Sequence, residues 1–315
     1  METIYINHPH HIKQSDFPHH VLALGFFDGV HLGHRKVINT AKAKAEELSL
    51  PVSVMTFDPH PSEVLGKKNK VVKYITPLKT KIEIMRELGI DYLFIVHFTE
   101  EFAKLLPQEF VDQYLIGLNV KHVVAGFDYT YGKLGKGTME TMPFHSRDQF
   151  DSTTVEKLSD NQEKVSSTKI RELMKNGQTE ELSRILGRFY TADGTVIHGE
   201  KRGRQLGFPT ANIALEEPFV YPATGVYAVR IQVDSKWHSG VCNVGYKPTF
   251  HEEKPENPNV EVHIFDFNDT IYGNEVKIEW HRRLRSEKKF SGLDELVAQI
   301  SRDKDEAREY FSNNF

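Results

Sequence analysis

Residues 25–36 read GFFDGVHLGHRK. His31 and His34 are three positions apart, so on a helix they project from the same side. Two imidazoles at a helix start can donate hydrogen bonds to phosphate oxygens or hold positive charge beside them. Gly25 and Gly29 allow backbone to approach a ligand closely. A helix beginning near residue 33 adds free N–H groups and a positive dipole end. Three other chemistries fit less well. A zinc pair needs further ligands, and none stands at a recognisable spacing. The dinucleotide fingerprint needs G-x-G-x-x-G, and a Walker loop needs Gly-Lys-Ser or Gly-Lys-Thr. What remains is a nucleotide site built on histidines.

Two later stretches have related chemistry. GFDYTYGKLGKGT at 126–138 carries Gly126, Asp128, Gly132 and Lys133. By itself it reads as a flexible loop, and beside the first motif as backbone wrapped around a nucleotide. VSSTKIRELM begins a helix, with Ser166, Ser167 or Thr168 as its cap. Arg171 falls on the same side as that cap.

The last third offers a different set. NVEVHIFDF alternates as a strand, with Glu261 and His263 opposite the face of Val260, Val262 and Ile264. In GRQLGFPTANI, Thr210 and Asn212 are two apart, so an extended chain turns both oxygens the same way. Such hard oxygen donors suit Mg²⁺. Upstream, Gly199, Gly203 and Gly207 alternate with Lys201, Arg202 and Arg204, a composition suited to a lid over phosphates.

These residues need a scaffold. VLALGFF, PVSVMTF, YLFIVHF and KHVVAG read as four strands separated by single helical patterns, the last of them PQEFVDQYLIG. Alternation of that kind implies a parallel α/β sheet, whose ligands collect at the carboxyl ends of strands. The helix after the first motif carries Val37, Ile38, Ala41, Ala45 and Leu48 on one face. The next places Thr76 as N-cap, Pro77 in its first turn and Leu78, Ile82, Met85 and Leu88 on its face, ending at Gly89. Beyond residue 187, TADGTVIHG, GVYAVRIQVD, WHSGVCNVG, NVEVHIFDF and EVKIEWHRRL are short and rich in β-branched and aromatic residues. No helices intervene, so a small antiparallel barrel is expected. A last helix follows, with Ser291 as N-cap and Leu293, Leu296, Ile300, Ala307 and Tyr310 at helical spacing. The boundary is expected at 186, giving domains 1–186 and 187–315.

The chain has 315 residues, a net charge of -4 and one cysteine, Cys242. That length suits two domains. The charge recruits neither nucleic acid nor an anionic membrane. The basic run HRRLRSEKK at 281–289 reads as a solvated strand end, and His8, His10, His11, His19 and His20 as surface histidines. One cysteine fits a reducing compartment, and Cys242 reads as a small buried side chain. With no signal peptide and no spanning segment, a soluble cytoplasmic protein is expected, monomeric or weakly self-associating.

The motifs together carry a resemblance. GFFDGVHLGH looks like the G-x-F-D-G-x-H-x-G-H signature of nucleotidyltransferases. TFDPHPSEVL, VAGFDYTYGKLGKGT, VSSTKIR, GRQLGFPTAN, GVYAV, CNVGYKPTF and VEVHIFDF follow in order. The chain resembles, over nearly its whole length, the bacterial bifunctional riboflavin kinase/FMN adenylyltransferases. The resemblance implies a Rossmann-like N-terminal domain that makes FAD from FMN and ATP. It implies a β-barrel kinase domain with a C-terminal helix that makes FMN from riboflavin, ATP and Mg²⁺. It assigns catalytic roles to His31, His34, Arg171 and Glu261, the last as kinase base. Gly25, Phe26, Phe27, Asp28, Gly126, Asp128, Gly132, Lys133, Ser166, Ser167 and Thr168 would bind nucleotide or flavin in the first domain. Gly203, Arg204, Asn243 and Arg285 would do so in the second, where Thr210 and Asn212 hold the metal. No nucleic acid or membrane partner is implied.

Overall fold

The computed structural model describes residues 1–66, 71–160, 163–199, 203, 206–246 and 257–315. By contact the chain falls into two compact units, Met1–Ser167 and Thr168–Phe315.

The first unit opens with β1 (Glu2–Ile6), β2 (His20–Leu24) and α1 (Leu32–Leu48). β3 (Val52–Asp58), α2 (Pro61–Leu65), α3 (Leu78–Glu87) and β4 (Tyr92–His97) come next. α4 (Pro107–Phe110) runs into a π-helical segment, Val111–Ile116, before β5 (Val120–Gly126). β6 (Thr130–Tyr131) and β7 (Gly137–Thr138) pair as a small antiparallel ribbon. α5 (Met142–Ser146), β8 (Asp151–Val155), and the paired β9 (Ser159–Asp160) and β10 (Glu163–Lys164) close the unit. α6 (Ser167–Asn176) carries the chain into the second unit.

The main sheet runs β1-β4-β3-β2-β5-β8, with every neighbouring pair parallel. Strand order reverses between β2 and β5, and a crevice opens at such a switch point. β2 is buried throughout, and its side chains alternate between two cores. Val21 and Ala23 meet Val37, Ile38 and Ala41 of α1 and Met85 of α3. Leu22 and Leu24 meet Phe110, Tyr114 and Leu115 on the other face. Helices therefore cover both faces, as a sheet of continuous apolar strands requires.

Several expectations change here. The sheet has two more strands, β1 and β8, at its edges. Edge strands need no continuous apolar run, and neither ETIYI nor DSTTV has one. Pro77, not Thr76, is the N-cap of α3; Thr76 stands one residue outside the helix, where its N–H donates to Asp28 Oδ1. The buried positions of α3 are Thr80, Lys81, Ile84 and Met85, while Leu78, Ile82 and Leu88 flank them. Leu48 is exposed at the end of α1. His20 is fully buried rather than superficial: it lies beside Ser53 and donates from Nε2 to the Leu118 carbonyl at 2.8 Å.

In the second unit α6 is followed by a 3₁₀ turn at Thr179–Glu181 and α7 (Leu182–Leu186), which Gly187 closes at φ 69°. β11 (Tyr190–Ile197), β12 (Ala211–Leu215), β13 (Gly225–Val233), β14 (Lys236–Gly245), β15 (Asn259–Ile264) and β16 (Glu275–Arg285) form a closed antiparallel barrel ordered β11-β12-β15-β14-β13-β16. Closure removes every open edge. β12 is an addition to the strands expected from sequence.

α8 (Leu293–Asn314) packs outside the wall, where Ala307 and Phe311 meet Ala228 and Phe265. Its N-cap is Gly292. Ser291 instead binds the Glu295 carboxylate through its N–H and hydroxyl, holding that acid down at about 2. Leu293 is exposed and takes no part in the helix face. The basic run at 281–289 is not simply solvated. His281 is fully buried, bonded to Glu279 and enclosed by Phe189, Phe311 and Phe315. Cys242 is buried in the wall, and that burial pushes its thiol well up.

Candidate functional site

The chain leaves β2 at Gly25 and turns through left-handed backbone at Phe27 (φ 56°), Gly29 (φ 92°) and Val30 (φ 39°). A β-branched residue rarely adopts that region. Here Phe27 and Val30 are both buried, so packing holds the turn. A Cβ on Gly25 would meet the Phe27 ring at 2.9 Å, which explains the glycine.

His31 is the N-cap of α1, and its Nδ1 accepts the His34 N–H at 3.2 Å. The two rings stack with centroids 3.6 Å apart. Phe27 meets His34 edge-on at 5.4 Å. Burial pushes the His34 ring well below its ordinary 6.5, and His31 and Lys81 push it further. His34 is therefore neutral at physiological pH. Of the two readings open on sequence, that favours hydrogen bonding over a fixed positive charge. Its Nδ1 is buried without a hydrogen-bond partner among the described residues.

Asp28 is buried, and its Oδ1 accepts the N–H groups of Ile75 and Thr76, each at 3.0 Å. Its carbonyl accepts the Ser167 hydroxyl at 2.8 Å, which ties the start of α6 to the histidine turn. Gly126 ends β5, the strand beside β2 across the switch point. A Cβ there would meet Asp128 Oδ1 at 3.3 Å. Gly132 (φ 69°) leads into the ribbon turn, and the exposed Lys133 is held by its N–H, which donates to the Leu105 carbonyl at 2.6 Å. The structure thus groups Gly25, Phe26, Phe27, Asp28, His31, His34 and Ser167 closely. Gly126 and Asp128 stand at the next strand end, and Gly132 and Lys133 lie further along their loop. Ser166 precedes α6, while Thr168 and Arg171 continue that helix in the second unit.

In the second unit a cavity of about 370 Å³ separates the barrel wall from α8. The antiparallel register sets Asn212 of β12 opposite Glu261 of β15, and Glu261 opposite Asn243 of β14. Residues directly opposite share a face, so the three polar side chains form a row across adjacent strands. Their neighbours Val260 and Val262 are buried on the other face. Glu261, Asn243, Thr210, Gly203 and Arg285 line the cavity. His263 Nδ1 donates to the Pro209 carbonyl at 2.8 Å, fixing the turn before Thr210 against β15. Arg204, Lys201 and Arg202 lie outside the described residues. Arg285 faces the cavity but its guanidinium grips Asp303 of α8, at 2.8 Å from Nη2 and 3.0 Å from Nε. Asp303 is 3% exposed and also accepts from Gln299.

The Mg²⁺ expectation can be tested against these donors. Asn212 packs so tightly on Gly199 that a Cβ there would lie 2.1 Å from its Nδ2. Its amide is thereby held beside Glu261, with Thr210 two residues away. Neutral oxygens next to one carboxylate fit a cation that keeps phosphate and water as its other ligands.

Sequence profiles of two families match the chain: FAD synthetase over residues 13–169 and riboflavin kinase over residues 186–311. The bifunctional riboflavin kinase/FMN adenylyltransferase of Bacillus subtilis is 54% identical over 313 residues, covering 99% of both chains. The chain belongs to this family. It is an enzyme of flavin nucleotide synthesis that joins a riboflavin kinase and an FMN adenylyltransferase. The family member from Listeria monocytogenes is 47% identical, again over 99% of both chains. A solved structure described as a macrolide-efflux protein from Streptococcus pneumoniae has the same fold, with TM-score 0.87, 34% identity and full coverage of both chains. No helix among the described residues of the present chain is long and apolar enough to cross a membrane.

Sequence reasoning missed two residues that the structure makes central, Lys81 and Asp303. Each signal was present as a charged residue within an apolar stripe. Lys81 lies three after Leu78 and four before Met85, and Asp303 three after Ile300 and four before Ala307.

Proposed function

We propose that residues 1–186 carry the FMN adenylyltransferase and residues 187–315 the riboflavin kinase, each with its own phosphate-handling site. The observation that supports this most is the separation of the two constellations: the histidine turn is built within one compact unit and the Glu261 row within the other.

In the first site the FMN phosphate is the nucleophile. Its second pKa is roughly 6, so it is already anionic at neutral pH and needs no base. One of its oxygens forms a bond to the α-phosphorus of ATP as the bond to pyrophosphate breaks. The protein must offset repulsion between two polyanions and stabilise the leaving charge. His31 and His34, the α1 N-terminus, Ser166, Ser167 and Lys133 supply donors and a cation. Gly25, Phe26, Phe27, Gly126, Asp128 and Gly132 shape the nucleotide and flavin pocket, and Asp28 holds the turn together.

In the second site the nucleophile is a ribityl hydroxyl, which must lose its proton. Glu261 takes that proton as the oxygen attacks the γ-phosphorus and ADP leaves. Thr210 and Asn212 would hold Mg²⁺, which supplies charge neutralisation at the nucleotide phosphates. Asn243 extends the polar row, while Arg285 braces the cavity wall. Gly203 lines the cavity beside this row, and Arg204 would bind nucleotide as the family resemblance implies. The buried lone cysteine fits a cytoplasmic protein, acting as a monomer or weak homo-oligomer.

The test supplies FMN, ATP and Mg²⁺ to a variant with His31→Ala and His34→Ala. Pyrophosphate release should fall by about 10²–10³ per lost donor, while riboflavin phosphorylation continues. Equal loss of both activities in a folded protein would overturn the division of labour.

A further inference from the structure

Among the described residues of the first unit one lysine is buried, and the reaction above does not use it. Lys81 lies on α3 and is 2% exposed. Its ammonium donates to the Phe26 carbonyl at 2.9 Å and to Thr56 Oγ1 at 3.2 Å. The Thr56 hydroxyl in turn donates to the same carbonyl at 2.7 Å. The ammonium also stands 4.4 Å from the centre of the Phe26 ring. A buried ammonium costs several kcal/mol unless it is well partnered, so an ordinary helix position would not retain it.

We propose that Lys81 is a positioning residue for adenylyl transfer: its ammonium pins the Phe26 carbonyl and so fixes the backbone that leads into the histidine turn. This rests on the assignment of the histidine turn as the FMN adenylyltransferase site. Phe26 immediately precedes the left-handed Phe27 and the buried Asp28. Asp28 is held from its side chain by the N–H groups just before α3. One helix thus fixes the turn twice, through its leading backbone and through Lys81. No part of this grip needs to touch substrate.

The electrostatics agree with the geometry. Burial lowers Lys81 to about 8, while Asp28 after β2 and Asp58 at the end of β3 oppose that fall. Lys81 is among the charges that lower His34, after burial and His31. The titratable groups facing it are these two carboxylates and, from α1, His34 with His31 stacked on it. Removing the ammonium must raise the His34 pKa, though only in part, because the other two causes remain.

The experiment uses the full-length enzyme with Lys81→Met, which keeps the length of the side chain and removes its charge and donors. FAD formation from FMN should lose about 10- to 100-fold in kcat with little change in KM for ATP. The acid limb of its pH–rate profile should move to higher pH. Riboflavin phosphorylation should stay within twofold, which also reports a folded chain. Lys81→Arg, retaining charge and donors, should recover most of the rate. An unchanged kcat and pH profile in Lys81→Met refutes the inference. If Lys81→Met does not fold, the wild-type profile decides. FAD formation should then fall on the alkaline side with a midpoint near 8, and a rate flat to pH 9.5 refutes the inference. Loss of activity on replacing His31 and His34 while Lys81→Met stays fully active sinks only the role of Lys81. Full activity after replacing the histidines sinks the site itself.

Discussion

Glu261→Gln isolates the chemistry of the barrel site from its architecture. Glutamine has nearly the same shape as glutamate, so the row with Asn212 and Asn243 can be kept. Those neighbours stand one strand away on either side, about 4.8 Å by sheet geometry. Val260 and Val262 remain in the barrel interior, so no cavity is created and the fold should be unaffected. What disappears is the ability to accept a proton. Loss of a general base lowers kcat by about 10²–10⁴, equivalent to about 3–5 kcal/mol of barrel-site transition-state stabilisation. The assay incubates the variant with riboflavin, ATP and Mg²⁺ and separates FMN and FAD by chromatography. A parallel reaction starts from FMN. The first should yield almost no FMN, and the second should yield FAD at the wild-type rate. Kinase turnover within threefold of wild type would show that the base lies elsewhere, and the assigned mechanism would fail.

Two further substitutions probe the same unit. Gly199→Ala places a methyl group against the Asn212 amide, which must swing away. The Mg²⁺ concentration needed for half-maximal FMN formation should rise several-fold, measured by titrating MgCl₂, with FAD formation from FMN as the control. Arg285→Met leaves the Asp303 carboxylate buried without its cation. Stability should drop by about 3–5 kcal/mol, seen in thermal denaturation, and Arg285→Met combined with Asp303→Asn should restore a large part of it.

The fold was legible wherever one physical requirement wrote a strong pattern. Strands buried on both faces, such as Val21–Leu24, must be apolar throughout and could be read directly. β1 and β8 face solvent along one edge, so partial burial left them no such pattern. β12 was hidden because only Ile213 of its five residues is buried, which leaves no apolar pattern to read. At the site, the residue types around His31 and Glu261 announced phosphate chemistry, but their protonation and partners depend on long-range packing. The neutrality of His34 comes first from burial, which no local spacing reveals. Arg285 was read as facing a flavin, yet its guanidinium is occupied by Asp303 from eighteen residues later. Lys81 and Asp303 were passed over because a charge in an apolar stripe reads as noise until its buried partner is visible.

The three polar residues of the kinase row come from three different strands of one closed ring. Their mutual spacing is therefore quantised by hydrogen-bond pairing and cannot be adjusted in small steps. Sliding β15 by a single residue would replace the carboxylate with a valine and turn the acid toward the apolar interior. Such a row has no half-assembled version to pass through: as the ring zips shut in the correct register, the carboxylate and its two companions arrive together.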